Sequence, residues 1–204
     1  MQLIFARHGE TDWNVAKKYC GQLDVPLNEH GVQQMKHLRE KLEDYSFDLV
    51  VTSDLMRVKQ SANILSNAKT VRFPALNEMN FGDFEGYTYQ EISTKFPKAW
   101  NEYCNNWQTA LFPNGESFPI FYERVVEVLE VEMEKWQQID TVLLVGHLGV
   151  LRVIALFLQK QTIAQYWDVD FKQGCYSLWD NNLNVLLFPI NSRFLLFQMK
   201  PLFL

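Results

Sequence analysis

Short apolar runs alternate along this chain with longer segments in which apolar residues recur every three or four positions. The short runs are typical of strands and cover residues 3–5, 47–51, 71–73, 141–145, 176–179 and 185–188. The periodic segments are typical of amphipathic helices and cover residues 29–42, 55–65, 117–136 and 150–158. Strands that alternate with helices of about ten residues or more predict a mainly parallel sheet with helices on both faces.

Local signals indicate where some of these elements begin and end. Asn28 is a predicted N-cap for the first long helix, and residues 52–54 are predicted to cap the second. Asn181 and Asn182 stand between the last two predicted strands, where they favour a hairpin turn and an antiparallel edge of the sheet. The predicted fold class is therefore α/β, a three-layer sandwich around a mainly parallel central sheet.

The region from about residue 78 to residue 115 breaks this alternation. It is rich in Asn, Gly, Pro and aromatic residues, and helical patterns in it are confined to residues 89–95 and 99–107. We interpret it as an insertion or lid. Because the chain has 204 residues, it fits one domain spanning 1–204 that carries this insertion.

Composition and charge argue against several classes of protein. The net charge is −5, with 19 basic and 24 acidic residues intermixed, so no basic patch for nucleic acid is present. The longest apolar stretches are shorter than the roughly 20 residues of a membrane helix, and we expect no signal peptide. The three cysteines lack metal-site spacing, which favours reduced thiols. We expect a soluble, cytoplasmic protein with no membrane or nucleic-acid partner, and the sequence makes no prediction of its oligomeric state.

The segment Arg7-His8-Gly9 stands directly after the first predicted strand. Open α/β sheets bind ligands at the carboxyl ends of their strands, and an imidazole beside a guanidinium suits an anion. We expect Gly9 to leave room for a phosphate-sized group against the backbone. From this segment alone, a purely structural role for His8 stays open.

A second histidine repeats this arrangement. His147 follows the strand at 141–145, and Leu148 stands at the start of the next helix, whose free N–H groups and positive dipole end suit an anion. Arg57 lies in the first turn of another predicted helix, where a cation opposes the dipole. Either an anionic ligand compensates for this charge, or Arg57 forms a surface salt bridge with Asp54.

Four motifs, taken in chain order, resemble the histidine phosphatase superfamily, which includes the cofactor-dependent phosphoglycerate mutases. They are Arg7-His8-Gly9-Glu10-Thr11, Ser53-x-x-x-Arg57, Leu76-Asn77-Glu78 and Gly146-His147. The resemblance covers nearly the whole chain and implies a phosphoglycerate mutase-like fold. It also implies that His8 is the nucleophile and Glu78 the proton donor. The residues that it assigns to the phosphoryl group are Arg7, Asn14, Gln22, Arg57, His147 and Leu148. For Asn14 and Gln22, a hydrogen bond to a loop stays open as the alternative.

Phosphoryl transfer needs these residue types. A neutral imidazole attacks phosphorus through one ring nitrogen, while a backbone carbonyl holds the proton of the other. The two arginines stabilise charge on the phosphoryl oxygens and lower the pKa of His8, so we expect neither a metal ion nor another cofactor. Glu78 must be protonated when the leaving oxygen departs and ionised when water attacks the phosphohistidine. Glu10 and Asp83 are the next candidates for this role.

Secondary motifs indicate the substrate class. Phosphoglycerate mutases carry an Asn-Glu-Arg motif, whereas in this chain Glu78 is followed by Met-Asn-Phe-Gly-Asp-Phe-Glu-Gly. This difference favours a hydrolase over a mutase. Further segments are similar to the α-ribazole phosphatases of cobalamin biosynthesis, hydrolases that remove the 5′-phosphate of α-ribazole 5′-phosphate. These segments are residues 78–85, 106–108, 114–116, 173–177 and 191–193.

Aromatic residues of the insertion are candidates for a face that binds the dimethylbenzimidazole ring of that substrate, with ordinary packing as the alternative for each of them. They are Tyr87, Tyr89, Trp100, Tyr103 and Trp107. Three other functions stay open: a broad-specificity phosphatase, a phosphoglycerate mutase-like enzyme, and a phosphate-ligand binding module without catalysis. The apolar segment 194–197 matches no pattern of the superfamily.

Overall fold

The computed structural model describes residues 1–180, 185–190 and 193–196, and a seven-stranded sheet lies at its centre. The strands are β1 (Gln2–Arg7), β2 (Leu49–Thr52), β3 (Thr70–Arg72), β4 (Thr141–Gly146), β5 (Tyr176–Asp180), β6 (Val185–Ile190) and β7 (Arg193–Leu196). Their order across the sheet is β3-β2-β4-β1-β5-β6-β7. The first four run parallel, and β5, β6 and β7 continue the sheet antiparallel. The predicted α/β class and antiparallel edge are confirmed, whereas the predicted turn at Asn181 and Asn182 lies outside the described residues.

The helices agree closely with the periodic segments of the sequence. They are α1 (Asp12–Val15), α2 (Glu29–Lys41), α3 (Met56–Leu65), α4 (Tyr89–Lys95), α5 (Pro97–Asn106), α6 (Phe118–Trp136) and α7 (Leu148–Leu158). Short 3-10 helices add Pro74–Leu76, Gly82–Phe84 and Ile163–Gln165. The sequence pattern did not predict the one-turn helix α1, because four residues are too few to show a periodicity.

Alternate residues of the central strands enter two separate hydrophobic layers. Leu3 and Phe5 of β1 pack into a layer with α6, α7 and the insertion. Ile4 and Ala6 of the same strand pack into the opposite layer, with α2 and α3. Successive side chains of a strand point to opposite faces, so helices cover the sheet on both sides and the three-layer sandwich is confirmed.

The insertion is packed against the body of the protein. Phe84, Ile92 and Phe112 are buried in the same hydrophobic cluster as Phe5 of β1 and Leu144 of β4. Both predicted helical pieces of the insertion are present, as α4 and α5. The insertion therefore shares the main core.

The two predicted helix caps have different outcomes. The Asn28 side chain accepts a hydrogen bond from the Gly31 N–H, which confirms it as the N-cap of α2. The N-cap of α3 is Leu55, with no side-chain cap of its own, so the prediction that residues 52–54 cap this helix is wrong. Instead, Asp24 Oδ1 accepts a hydrogen bond from the Met56 N–H at 2.5 Å. The cap comes from a distant loop, which a local sequence pattern does not reveal.

Two compositional expectations can be followed into the structure. Cys20, Cys104 and Cys175 are all free thiols, and the last two are exposed. Within the described ranges, no helix is both long enough and apolar enough to cross a membrane.

Candidate active site

The polar clusters of the sequence meet at the carboxyl ends of three adjacent parallel strands. His8 follows β1, His147 follows β4, and Ser53 follows β2, with β4 in the middle of the three. The ring centroids of His8 and His147 are 5.3 Å apart. The parallel register of β1 and β4 thus brings together two histidines that lie far apart in the sequence.

The imidazole of His8 is buried and held in one tautomer. Its Nδ1 lies 2.7 Å from the carbonyl oxygen of Gly9, and because that oxygen only accepts, Nδ1 carries the proton and Nε2 is left with a lone pair. Burial holds the pKa of His8 well below its usual value near 6.5, and the charges of Arg57 and Arg7 lower it further. The carbonyl contact and the direction of the pKa shift agree with expectation, but burial outweighs the arginines as its cause.

Gly9 lies against the backbone of α2. A Cβ atom built on Gly9 would lie 2.5 Å from the carbonyl oxygen of Gly31, in the first turn of α2. The missing side chain therefore lets this helix approach the strand end.

His147 is also buried, and its ring is fixed by a serine. Its Nε2 lies 2.9 Å from Ser53 Oγ, while its Nδ1 is buried without a hydrogen-bond partner. Burial, followed by the charges of Arg57 and of His8, holds the pKa of His147 well below its usual value. The ring is therefore neutral, and a proton on Nδ1 would make that atom a free donor.

Arg57 is fully buried at the start of α3. Its Nη1 and Nη2 donate to the carbonyl oxygens of Leu23 and Gly21, at 3.1 Å and 2.6 Å, while Nε has no partner. Among the described residues no ion pair joins Arg57 to Asp54, so the surface salt bridge considered above is wrong. Arg7 is held less completely, through one hydrogen bond from Nη1 to the Phe171 carbonyl.

Unpartnered polar atoms concentrate around His8. In the part of the chain that the structure describes, four buried side-chain polar atoms lack a hydrogen-bond partner. Three of them are Arg7 Nε, Arg57 Nε and His147 Nδ1. Leaving a buried donor unpaired costs about 1–3 kcal/mol, more beside a charge, so this concentration points to a ligand that carries several acceptor oxygens.

Glu78 lies against the N-terminus of α7. Its Oε2 accepts a hydrogen bond from the Gly149 N–H and its Oε1 accepts one from the Met79 N–H, both at 3.0 Å. A Cβ on Gly149 would lie 2.3 Å from Oε1, so only glycine allows this approach. Glu10 and Asp83, the two alternative candidates for the proton donor, form hydrogen bonds to other residues. Glu10 accepts one from the side chain of Asn28, the N-cap of α2, and Asp83 accepts one from the side chain of Asn114 in the insertion.

A cavity of about 250 Å³ opens beside Glu78. Arg152 and Leu148 contribute to its wall, which is otherwise mostly aromatic and includes Tyr19, Tyr103, Trp107, Tyr166 and Trp167. The Arg152 guanidinium lies over the rings of Tyr166 and Trp167, 5.4 Å and 5.1 Å from their centroids. The site therefore combines a cationic pocket around His8 with an aromatic one beyond the carboxylate.

Sequence comparison decides the family. A profile of the histidine phosphatase superfamily (branch 1) matches residues 3–182. This chain belongs to the histidine phosphatase superfamily. It is 33% identical over 197 residues to an adenosylcobalamin/alpha-ribazole phosphatase of Escherichia coli K12, covering 95% of this chain and 97% of that protein. It is 28% identical over 193 residues to phosphoserine phosphatase 1 of Hydrogenobacter thermophilus, covering 92% and 90%.

A solved structure agrees with this assignment. The alpha-ribazole phosphatase from Shigella flexneri superposes on this chain with a TM-score of 0.86 at 33% identity. The superposition covers 95% of this chain and 96% of that one. The phosphoglycerate mutase-like architecture expected from the sequence is thus confirmed for this histidine phosphatase.

The remaining sequence-predicted residues of this histidine phosphatase occupy different settings. Leu148 lies at the start of α7 and lines the cavity. Asn14 Oδ1 accepts hydrogen bonds from Thr11 and from Gln173 Nε2, which ties it to the loop after β1. Gln22 is half-buried, and its backbone N–H is fixed by Glu85.

The aromatic residues considered for a substrate-binding face occupy different positions in this histidine phosphatase. Tyr103 and Trp107 line the cavity. Tyr87 packs on Phe96, Trp100 packs on Tyr103, and Tyr89 is 52% exposed, so these three do not face it. Of the other cavity aromatics, Phe81 also belongs to the insertion. The rest come from outside it and are Tyr19, Phe118, Tyr166 and Trp167.

Sequence reasoning also missed a carboxylate that braces the loop next to Arg57. Glu85 accepts hydrogen bonds from the N–H groups of Gln22, Leu23 and Phe81, at 2.7–3.2 Å. The carbonyls of the same loop accept the Arg57 guanidinium. Nothing in the spacing of the sequence signals this contact, because its members are about 60 residues apart.

Proposed function

We propose that this histidine phosphatase hydrolyses phosphomonoesters through a phosphohistidine at His8, and that its substrate is α-ribazole 5′-phosphate. The observation that carries the proposal is the set of unpartnered donors on Arg7, Arg57 and His147 beside the free Nε2 of His8. A phosphoryl group supplies acceptor oxygens for such donors and an electrophile for that nitrogen.

In the proposed first step, the Nε2 lone pair of His8 forms a bond to phosphorus while the bond from phosphorus to the ester oxygen breaks. Glu78 gives its proton to the departing oxygen. In the second step, Glu78 takes a proton from a water molecule that attacks the phosphohistidine, and phosphate leaves. The hydrogen bond from Nδ1 to Gly9 favours this path because it orients the ring and stabilises positive charge on it.

Charge stabilisation in this proposal comes from the protein itself. Arg7 and Arg57 lie within electrostatic reach of His8, and His147 adds a donor. Asn14, Gln22 and the N-terminus of α7 at Leu148 are proposed to complete the phosphate pocket. We therefore expect activity to survive treatment with a chelator, and a strict requirement for a divalent metal would contradict this assignment.

The aromatic cavity beside Glu78 supports a substrate whose alcohol part carries an aromatic ring. A carboxyl group that protonates the leaving oxygen must lie near the junction between the phosphate and the rest of the ester. Because Glu78 lines the cavity, we propose that the rest of the ester occupies the cavity. Tyr103 and Trp107 line this cavity, and we propose that they contact a benzimidazole ring there. The names of the E. coli and Shigella relatives point to the same substrate.

A broad-specificity phosphatase is the second candidate, because a relative of similar coverage is a phosphoserine phosphatase. A phosphoglycerate mutase-like enzyme and a catalytically silent phosphate binder are supported less. The binder would have no use for a carboxylate such as Glu78, held against a helix N-terminus beside the cationic pocket.

The chemical step is tested with His8→Ala. The substitution should abolish turnover of p-nitrophenyl phosphate, because no nucleophile remains, while inorganic phosphate should still bind through the arginines. Rapid base quenching of the wild type with labelled substrate should trap the label on His8 in a bond that is stable in base and lost on treatment with acid. Normal turnover by the variant would refute the assignment.

The proposed substrate is tested by comparing kcat/KM across a panel of phosphomonoesters. We expect kcat/KM for α-ribazole 5′-phosphate to exceed the values for phosphoserine, 3-phosphoglycerate, sugar phosphates and nucleotides. Trp107→Leu should lower kcat/KM about 2- to 10-fold for α-ribazole 5′-phosphate, the worth of an aromatic contact, and leave phosphoserine unaffected. Equal values across the panel would favour the broad-specificity enzyme instead.

A further inference from the structure

The segment that carries Glu78 belongs to no helix or strand. It lies between the 3-10 helices Pro74–Leu76 and Gly82–Phe84, so its backbone groups find few partners in regular structure. A carboxylate on such a segment keeps one position only if other parts of the protein hold the backbone.

Arg124, on α6, holds this backbone with its whole guanidinium. Nη1 donates to the carbonyls of Ala75 and Asn77, at 2.7 Å and 2.8 Å, and Nη2 donates to the carbonyl of Glu78 at 3.0 Å. Nε and Nη2 donate to the Glu116 carboxylate, at 3.0 Å and 2.6 Å. These five contacts match the five N–H donors of an arginine, so none is left over.

Glu116 holds the same segment from its other end. Its Oε1 accepts the Asn80 N–H at 2.6 Å, and its own N–H donates to the Asn80 carbonyl at 3.0 Å. The ion pair with Arg124 is mostly shielded, since the two side chains are 20% and 10% exposed. The ion pair of Arg124 and Glu116 therefore holds the backbone on both sides of the Glu78 side chain, through the carbonyls of Ala75, Asn77 and Glu78 and through the N–H of Asn80.

We propose that Arg124 and Glu116 are positioning residues that aim the Glu78 carboxylate at the leaving oxygen. The inference rests on the proposed function, because it takes Glu78 as the proton donor. The pair touches no reacting atom and acts through Glu78. A lysine at 124 carries the same charge but only three donors on one nitrogen, so it cannot reach three carbonyls and a carboxylate together.

The test compares two leaving groups in single-turnover measurements. An alkoxide such as that of α-ribazole 5′-phosphate needs a proton to depart, whereas p-nitrophenolate needs little help. If α-ribazole 5′-phosphate is not a substrate, ribose 5-phosphate serves as the alkyl ester. Glu78→Gln is measured first and should slow phosphorylation of His8 by the alkyl ester about 10²- to 10⁴-fold, and by the nitrophenyl ester much less.

Arg124→Lys should also slow phosphorylation of His8 more with the alkyl ester than with the nitrophenyl ester, but by a smaller factor than Glu78→Gln. Misplacing a catalytic group by about 1 Å costs up to roughly 10²-fold, so we expect a loss of about 10- to 100-fold with the alkyl ester and little loss with the nitrophenyl ester. In the Glu78→Gln background, Arg124→Lys should cause no further loss with the alkyl ester. This non-additivity is a readout that a merely structural role would not produce.

Glu116→Gln provides a second variant that keeps the shape of the side chain and should shift the rates in the same direction by a smaller factor. Glu132→Gln is the matched control, because it breaks an ion pair on the same helix with Lys135, whose side chain is 62% exposed. It should change neither rate. Equal slowing of both esters by Arg124→Lys or Glu116→Gln, or full additivity with Glu78→Gln, would overturn the positioning role. Equal slowing of both esters by Glu78→Gln itself would instead overturn Glu78 as the proton donor.

Discussion

At the scale of single residues, the site is defined by polar groups whose hydrogen-bonding capacity the protein leaves partly unused. Arg57 illustrates this, because burying its charge is costly unless every N–H is paired. Two backbone carbonyls satisfy part of the guanidinium, and Nε remains open. The carbonyls come from residues more than 30 positions away in the chain, which explains why sequence reasoning located the charge but not its partners.

Ser53 is expected to control the tautomer of His147. Its hydroxyl lies 2.9 Å from Nε2, and if it donates there, the ring proton stays on Nδ1 and can meet a phosphoryl oxygen. Ser53→Ala should therefore weaken competitive inhibition by inorganic phosphate about 3- to 10-fold, the worth of one hydrogen bond. Ser93→Ala is the control, because the Ser93 hydroxyl donates to the Gln90 carbonyl within α4, and it should leave the inhibition constant unchanged. An unchanged constant in Ser53→Ala would argue against this role.

At the scale of elements, the N-terminus of α3 depends on Asp24. Its carboxylate accepts the Met56 N–H and offsets the unfavourable position of Arg57 against the helix dipole. Asp24→Ala should lower the free energy of unfolding by about 0.5–2 kcal/mol, which corresponds to a fall in Tm of a few degrees for a chain of this length. Asp54→Ala serves as the control, with an expected change within about 0.5 kcal/mol. A larger loss in Asp54→Ala than in Asp24→Ala would contradict the structure of this cap.

Periodicity predicted the elements well because the buried faces are continuous. Phe118, Phe121, Val125 and Leu129 are all buried along α6, as their spacing requires. The same logic fails for the aromatic cavity, where Tyr19, Trp107 and Trp167 come from three separate loops or helix ends. Convergence of this kind depends on tertiary packing, and no local pattern records it.

At the scale of the whole molecule, we propose that residues 1–204 form one domain in which the insertion at about 78–115 is a fixed part. Its buried aromatic residues share a cluster with the central sheet. Two carboxylates also brace the site, Glu85 of the insertion against the loop next to Arg57, and Glu116, directly after the insertion, against the segment of Glu78. Folding of the insertion and assembly of the site are therefore expected to be one event.

Two buried neutral histidines should make the stability of the whole molecule depend on pH. Burial holds the pKa values of His8 and His147 in the folded protein well below the value of about 6.5 in an unfolded chain. Between these values the unfolded chain binds more protons, so the contribution to stability is complete above about pH 6.5 and is lost as the pH falls toward the folded pKa values. Each histidine should add up to about 1.4 kcal/mol per pH unit to the fall in the free energy of unfolding with decreasing pH.

Denaturant unfolding between pH 7.5 and pH 5 measures this decline. His8→Asn removes one titrating group, so its free energy of unfolding should fall less steeply with decreasing pH than that of the wild type, whatever its absolute stability. The control is His37→Asn, because His37 is 66% exposed and the substitution should leave the slope nearly unchanged. Equal slopes in His8→Asn and in the wild type would mean that His8 takes up its proton in the folded protein as it does in the unfolded chain, which would contradict the lowered pKa of this buried imidazole.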